Sequence, residues 1–230
     1  TARAGTASMP EIDLVRQAVP GVAIVVNRRA RVARLGGLAS GVAGGMMAEG
    51  MRQLAQGKRP SMGNLLLTPA NARRVAGQLA QVRGAAYTRV ILLGPSHHVG
   101  FTGLALPGCD TFETPLGSIP LDVDGVRRAL EFPQVRELPK AHAKEHSLEV
   151  QLPFLQRVLK TFTLVPLVVG DATPHQVADV LDALWGGDET VILISSDLSH
   201  FLTWDAAKRA DAQTAEHIVS LDETALVVEP

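Results

Sequence analysis

Three short apolar runs constrain the fold of this 230-residue chain more than any other feature of its sequence. The runs are RVILLG (89–94), TLVPLVVG (163–170) and TVILISS (190–196). None of them alternates with polar residues, which is typical of strands that are buried on both faces of a sheet. The intervening segments 145–160 and 173–185 carry apolar residues at helical spacing. The pattern predicts an α/β domain with a largely parallel or mixed central sheet and helices on both faces.

Weaker patterns predict further elements around this framework. In segment 145–160, Ser147 is the expected N-cap, and Glu149 then lies in the first turn, where an acid stabilises the helix. We therefore expect Glu149 to be mainly structural. The short pieces within 104–121 predict an antiparallel excursion from the main sheet. Closer to the N-terminus, strands are expected over 21–27 and 65–67, and helices over 38–56 and over the residues that begin at Pro69.

The charge is distributed unevenly along the chain. Residues 1–86 contain twelve Lys and Arg against three Asp and Glu, whereas residues 87–230 contain ten against twenty. Such a shift is typical of a tail or a second module. Nucleic-acid binding is disfavoured, because the RRARVAR run has no interleaved aromatic residues and no recognition motif, and a solvated helix face is preferred. With 46% hydrophobic residues, the length suits one sizeable core, which predicts a single domain over 1–230.

Cysteine content and hydropathy indicate the compartment. Cys109 is the only cysteine, so the chain has no internal disulfide, and this residue is expected to act as a small buried hydrophobe. The apolar stretch 35–48 is too short and too rich in glycine for a membrane span, and it lies too far along the chain for a signal peptide. These features predict a cytoplasmic protein without a membrane partner.

Two polar loops follow buried strands, and both contain histidine. RVILLG leads into GPSHH with His97 and His98, and TVILISS leads into SDLSH with Asp197 and His200. In open α/β sheets, ligands bind beyond the carboxyl ends of the strands, so His97 and His200 are expected to face one cleft. Histidine at such a place can bind a metal ion or act as a general base, and a nearby carboxylate can orient it. His98 and His142 are interpreted as surface or helix-capping residues.

A serine hydrolase is a less favoured interpretation of the same loops. Ser96 or Ser199 would be the nucleophile, but the chain has no G-x-S-x-G elbow. A serine that is adjacent to a histidine in sequence also does not thereby face that histidine in space.

Five motifs carry a resemblance to a known family. GPSHHVGFTGLAL, TFETPLGSIPLD, EHSLEVQLPFLQ, VPLVVGD and ISSDLSHF occur in this order between about Tyr87 and Pro230. The chain thereby resembles the Memo-like family, called system protein B in the AmmeMemoRadiSam gene cluster. The resemblance implies a fold similar to class III extradiol dioxygenases, which use Fe(II). It also implies that His97 is a metal ligand and that His200, with Asp197 beside it, is the acid/base residue.

The sequence departs from the family pattern at two expected metal ligands. Family members carry a second histidine before GPSHH, but the corresponding place reads LLLTPANARRVAG, and no histidine precedes His97. The family's cysteine ligand lies in a C-terminal region beyond VVEP, and Cys109 does not match it. A divergent paralogue that lost its metal, or an altered reading frame over 1–86, would each explain the departure.

The resemblance leaves three classes of function open. The protein is a dioxygenase-like enzyme, a binding module for a phosphopeptide or small anion, or a metal-sequestering protein. Its expected partner is a small molecule or peptide in the strand-end cleft, and a radical SAM protein of the same gene cluster is a further candidate. A single histidine cannot hold iron in the manner of two histidines and a carboxylate, which favours binding over catalysis.

Overall fold

A computed structural model describes residues 22–26, 87–196, 199 and 202–220, with 22–26 at the level of the backbone. The elements expected over 38–56, over 65–67 and from Pro69 lie outside the described residues, as do Asp197 and His200. The strand expected over 21–27 is confirmed as Val22–Val26.

The centre of the molecule is a six-stranded mixed sheet. In chain order its strands are β1 (Val22–Val26), β2 (Arg89–Pro95), β3 (Leu104–Leu106), β6 (Val135–Glu137), β7 (Thr163–Val169) and β8 (Thr190–Ser196). Their order in the sheet is β1-β8-β2-β7-β3-β6. The pairs β2–β7, β2–β8 and β3–β6 are parallel, whereas β1–β8 and β3–β7 are antiparallel. The three strands predicted from the unbroken apolar runs are therefore neighbours, and the α/β prediction is confirmed.

Helices cover both faces of this sheet. The helices of the described residues are α1 (Val123–Ala129), α2 (Pro139–His142), α3 (Leu152–Val158), α4 (Pro174–Leu184) and α5 (Trp204–Ser220), of which the first four pack on the sheet. One face of the sheet packs against α1 and α4. The opposite face packs against α2 and α3. No helix in the part of the chain that the structure describes combines the length and the apolar character needed to cross a membrane.

The central strand β2 contributes side chains to both cores. Val90 and Leu92 point toward α3, whereas Ile91 and Leu93 point toward α1 and α4. All four are fully buried, which explains why this run shows no polar alternation.

The region 104–121 is only partly the antiparallel excursion that was expected. The hairpin of β4 (Thr111–Thr114) and β5 (Gly117–Pro120) is antiparallel and separate from the main sheet. Strand β3, by contrast, lies inside the main sheet between β7 and β6. Its three residues are all buried. A run of three residues is too short to show the hydrophobic pattern that would predict a strand inside the main sheet.

The helix predicted over 145–160 begins later than expected. A 3₁₀ turn covers Glu149–Gln151, and α3 follows it. Ser147 is not an N-cap, because its hydroxyl donates a hydrogen bond to the carbonyl of Pro95 at 3.0 Å. The residues from Glu145 to Leu148 therefore form a loop that is attached to the end of β2. The prediction of an N-cap at Ser147 was wrong.

Candidate functional site

The carboxyl ends of β2 and β8 meet at one edge of the sheet. The two strands are parallel, and their register pairs Leu93 with Ile194, so Pro95 and Ser196 reach the same edge. The loops that carry GPSHH and SDLSH both begin there, as the sequence predicted. Because Asp197 and His200 are not among the described residues, their convergence with His97 stays a prediction.

Glu145 holds His97 by both its backbone and its ring. The His97 backbone N–H donates to Glu145 Oε2 at 2.7 Å, and the His97 Nδ1 lies 2.8 Å from Glu145 Oε1. The backbone N–H groups of His146 and Ser147 also donate to Oε1, each at 3.0 Å. The carboxylate is thus fixed by its own loop and in turn fixes His97.

Glu145 is ionised in this arrangement although its side chain is only 2% exposed. Burial of the carboxyl group opposes ionisation, but the hydrogen bond and charge of His97, together with the backbone N–H groups of His97 and Ser147, outweigh it. They lower the pKa of Glu145 from 4.5 to about 2. The carboxylate therefore accepts hydrogen bonds and donates none at neutral pH.

The Glu145 contact determines which nitrogen of a neutral His97 ring carries the proton and which carries the lone pair. Since an ionised carboxylate can only accept, His97 Nδ1 carries a proton, and the lone pair of a neutral ring lies on Nε2. A carboxylate that orients the ring and raises its basicity is the usual support for a metal-binding or proton-accepting imidazole. His97 is therefore built to act through Nε2.

Gly94 allows the Glu145 loop to come this close to β2. A Cβ atom at Gly94 would lie 2.7 Å from Ser147 Oγ and 2.8 Å from a methyl carbon of Leu148, closer than packed atoms tolerate. Gly94 and Pro95 are the last two residues of β2, where the strand ends. The glycine is required for close packing, and the Pro95 carbonyl anchors the loop through Ser147.

The two adjacent histidines lie in a bend after β2, and both residues are exposed. His97 is held against Glu145. His142 differs from its interpretation as a surface or capping residue. It is half-buried at the end of α2, its Nε2 lies 2.9 Å from the carbonyl oxygen of Ala105, and burial lowers its pKa. His142 therefore ties α2 to the sheet.

Ser96, Glu149 and Cys109 do not join His97. Ser96 is 1% exposed, and its hydroxyl donates to the carbonyl of Val99 at 2.6 Å, so it stabilises the turn and does not serve as a nucleophile. Glu149 lies at the start of the 3₁₀ turn and pairs with His146 at the surface, 2.6 Å from its Nδ1. Cys109 was expected to be buried, but it is exposed in the loop before β4.

A complete metal site is not present among the described residues. No group of three His, Cys, Asp or Glu side chains in this part of the chain is arranged to hold a metal ion. His97 and its orienting carboxylate fit one position of a metal's coordination sphere, and further ligands would have to come from elsewhere. The fit to the iron site that the family resemblance implies is partial.

Glu145 is the site residue that sequence reasoning missed. It lies in segment 145–160, which carries a helical pattern, so it was assigned to the start of that segment without a role of its own. The sequence signal that could have indicated its role is its position as an acid ahead of α3, in a loop that reaches the end of β2.

Comparison with known proteins identifies the family. The family described as Memo-like protein matches residues 67–228, beginning ahead of the first recognised motif. A MEMO1 family protein of Archaeoglobus fulgidus is 34% identical over 159 residues, which cover 65% of this chain and 58% of that protein. One from Aquifex aeolicus is 37% identical over 132 residues, covering 54% of this chain and 48% of that protein.

A third relative, a MEMO1 family protein of Methanobrevibacter smithii, is 34% identical over 145 residues, which cover 60% of this chain and 51% of that protein. The chain thus spans about half the length of the curated relatives it matches. The family match covers well over half of the chain and contains strands β2 to β8 and the His97–Glu145 pair described above. The chain belongs to the Memo-like family.

Proposed function

We propose that this domain binds a divalent transition metal ion at the carboxyl ends of β2 and β8, with His97 Nε2 as a ligand. The observation that carries the proposal is the pair of hydrogen bonds that Glu145 accepts from the His97 backbone N–H and from the ring Nδ1. Outer carboxylates of this kind fix the tautomer and orientation of ligating histidines.

Fe(II) is the metal that the resemblance to class III extradiol dioxygenases favours. A site of that type uses two histidines and one carboxylate. His97 supplies one imidazole, and the residues described in the structure complete no group of three. The proposal therefore assigns metal binding to His97 and an orienting role to Glu145, and it assigns no reaction.

The loop after β8 is the proposed neighbour of His97. Asp197 and His200 belong to this loop, which begins at the same sheet edge as GPSHH. In this proposal His200 moves a proton and Asp197 supports it, as the family resemblance implies. The ligand is a small molecule in the same cleft, the compartment is the cytoplasm, and the radical SAM protein of the AmmeMemoRadiSam cluster is the proposed partner.

Anaerobic titration of the purified protein with Fe(II) tests the proposal. We expect one equivalent to bind, His97→Ala to abolish binding and Glu145→Gln to weaken it about 10- to 100-fold, as outer-carboxylate losses typically do. His98→Ala is the matched control, because His98 is adjacent and exposed, and it should bind like the unmodified protein.

Unchanged affinity in His97→Ala would exclude this histidine as a ligand. Oxygen consumption by the Fe(II)-loaded protein, measured with a panel of catechols, then separates an enzyme from a metal-sequestering protein. Uptake that depends on both the metal and the catechol supports dioxygenase chemistry. Tight binding without uptake supports sequestration.

A further inference from the structure

Buried polar atoms without hydrogen-bond partners are concentrated near the proposed site. Within the described residues three such side-chain atoms occur: Asp122 Oδ2, Gln151 Oε1 and Ser199 Oγ. Asp122 Oδ2 has an ionic partner, because the Nε of Arg89 lies 2.5 Å away. The other two atoms are associated with the carboxyl end of β8, since Gln151 contacts Ser195 and Ser199 follows the strand.

Gln151 is fixed beneath this edge of the sheet. The residue is 2% exposed, and its Nε2 donates to the hydroxyl of Ser195 at 3.0 Å. This hydrogen bond holds the carboxamide in place and leaves Oε1 as an acceptor with no donor among the residues that the structure describes. A buried acceptor is costly when unpaired, so native proteins nearly always satisfy it with protein, water or ligand.

The carboxamide lies on the same side of the sheet as the loop that holds His97. Along β8, Val191 and Leu193 face α3, and the alternation of side chains places Ser195 on that face. The strand register places Ser195 beside Gly94, one residue beyond the Leu93–Ile194 pair. Ser147 covers Gly94 on this face, and Glu145 is in the same loop.

The charges near this edge favour a neutral ligand group over an anion. Both Glu145 carboxylate oxygens lie within hydrogen-bond distance of His97 nitrogen atoms, so this side of the site already presents acceptor oxygens. Gln151 adds a second acceptor that would repel a phosphate or carboxylate oxygen. A hydroxyl group, in contrast, supplies the hydrogen-bond donor that the amide oxygen needs. Sites that hydrogen-bond a ligand hydroxyl group reject analogues without that hydroxyl group.

We propose that Gln151, held by Ser195, is a specificity-determining residue whose amide oxygen accepts a hydrogen bond from a neutral hydroxyl group of the ligand. This inference rests on the proposed ligand site at the His97 edge. It adds the chemical class of the ligand and a binding residue on the face opposite α1 and α4.

Probes that differ in their ability to donate a hydrogen bond from a hydroxyl group test the assignment. Catechol donates two hydrogen bonds, whereas its dimethyl ether donates none, and inorganic phosphate represents the anions. Binding is followed by ¹⁵N NMR of the metal-free protein, with the Gln151 side-chain resonance assigned by its loss in Gln151→Met. We expect catechol to bind and to shift this resonance, and the ether and phosphate to bind at least about 10-fold more weakly.

Gln151→Met keeps the side-chain length and removes the acceptor. We expect it to weaken catechol binding about 10-fold and to leave the weak affinity for the ether unchanged. Gln156→Met, farther along α3, is the control and should keep the preference for catechol, because Gln156 bonds to the β4–β5 hairpin. If Gln151→Met does not fold, the double variant Gln151→Met/Ser195→Ala, which removes both partners of the hydrogen bond, replaces it.

Equal binding of catechol and its ether, preferential binding of phosphate, absence of catechol binding, or an unmoved Gln151 resonance would each overturn the assignment. The Fe(II) titration gives an independent result. If the protein binds no Fe(II) but Gln151 still distinguishes catechol from its ether, the metal proposal alone is rejected. If Fe(II) binds but catechol and its ether are not distinguished, the Gln151 assignment alone is rejected.

Discussion

Glu145 links the stability of the domain to the geometry of its candidate site. Its carboxylate accepts four hydrogen bonds, three of them from backbone N–H groups. A buried acid is held ionised only when such partners outweigh the cost of removing it from water. The same contacts that orient His97 therefore also stabilise the fold.

Acid should remove the stabilisation that Glu145 provides. The folded pKa of about 2 lies below the ordinary 4.5, so the contribution is full above about pH 4.5 and is lost as the pH falls toward 2. The difference corresponds to about 3 kcal/mol. We expect Glu145→Gln to lower the free energy of unfolding at pH 7 by about 2–3 kcal/mol and to flatten its pH dependence between pH 4.5 and 2.

Urea denaturation in the presence of EDTA measures this effect without bound metal. Glu149→Gln is the matched control, because Glu149 also pairs with a histidine but its side chain is 55% exposed. Exposed pairs contribute at most about 1 kcal/mol, so the control should change stability little. An equal loss in both variants would contradict the role assigned to Glu145.

Gly94 is expected to tolerate no larger side chain. Gly94→Ala places a methyl group against Ser147 and Leu148, which must move and thereby shift the loop that carries Glu145. We expect a loss of about 1–3 kcal/mol in the free energy of unfolding. Gly100→Ala is the control, because a Cβ atom there has no neighbour within 4 Å. Chemical denaturation of both variants checks the difference, and equal stabilities would disprove the close approach.

The elements that sequence patterns predicted well are those with a strong local signal. Strands β2, β7 and β8 each contain an unbroken apolar run, and α4 has Thr173 before Pro174 at its start. The position of β3 in the sheet and the late start of α3 depend on contacts between distant residues. Ser147 illustrates this, because its hydroxyl bonds to Pro95 instead of capping a helix. Glu145 was missed for the same reason.

Thr173 provides the best-defined helix start in the described chain. Its hydroxyl accepts from the N–H of Gln176, and the Gln176 side chain accepts from the N–H of Thr173. Loss of such a cap costs about 1 kcal/mol. We expect Thr173→Ala to lower the free energy of unfolding by about this amount and Thr173→Ser, which keeps the hydroxyl, to have a smaller effect. Thermal or urea denaturation distinguishes the two, and identical losses would contradict the capping role.

The two hydrophobic cores of the molecule share the same three strands. Strands β2, β7 and β8 each send alternate side chains to the α3 face and to the α1–α4 face. Strand β1 extends this sheet, although it belongs to the basic segment that differs in composition from the rest of the chain. We expect the two cores to unfold together, because each core contains side chains of the same strands and cannot persist without them.

Leu92 allows this coupling to be measured. It is fully buried and faces α3, so Leu92→Ala should cost about 3 kcal/mol. Because β2 is shared, we expect the slowest amides of α4, on the opposite face, to lose as much hydrogen-exchange protection as those of β2 itself. Leu116→Ala, at a side chain that is 51% exposed in the β4–β5 turn, is the control and should leave these amides unchanged. If the α4 amides kept their full hydrogen-exchange protection in Leu92→Ala while the β2 amides lost theirs, the two faces would unfold separately.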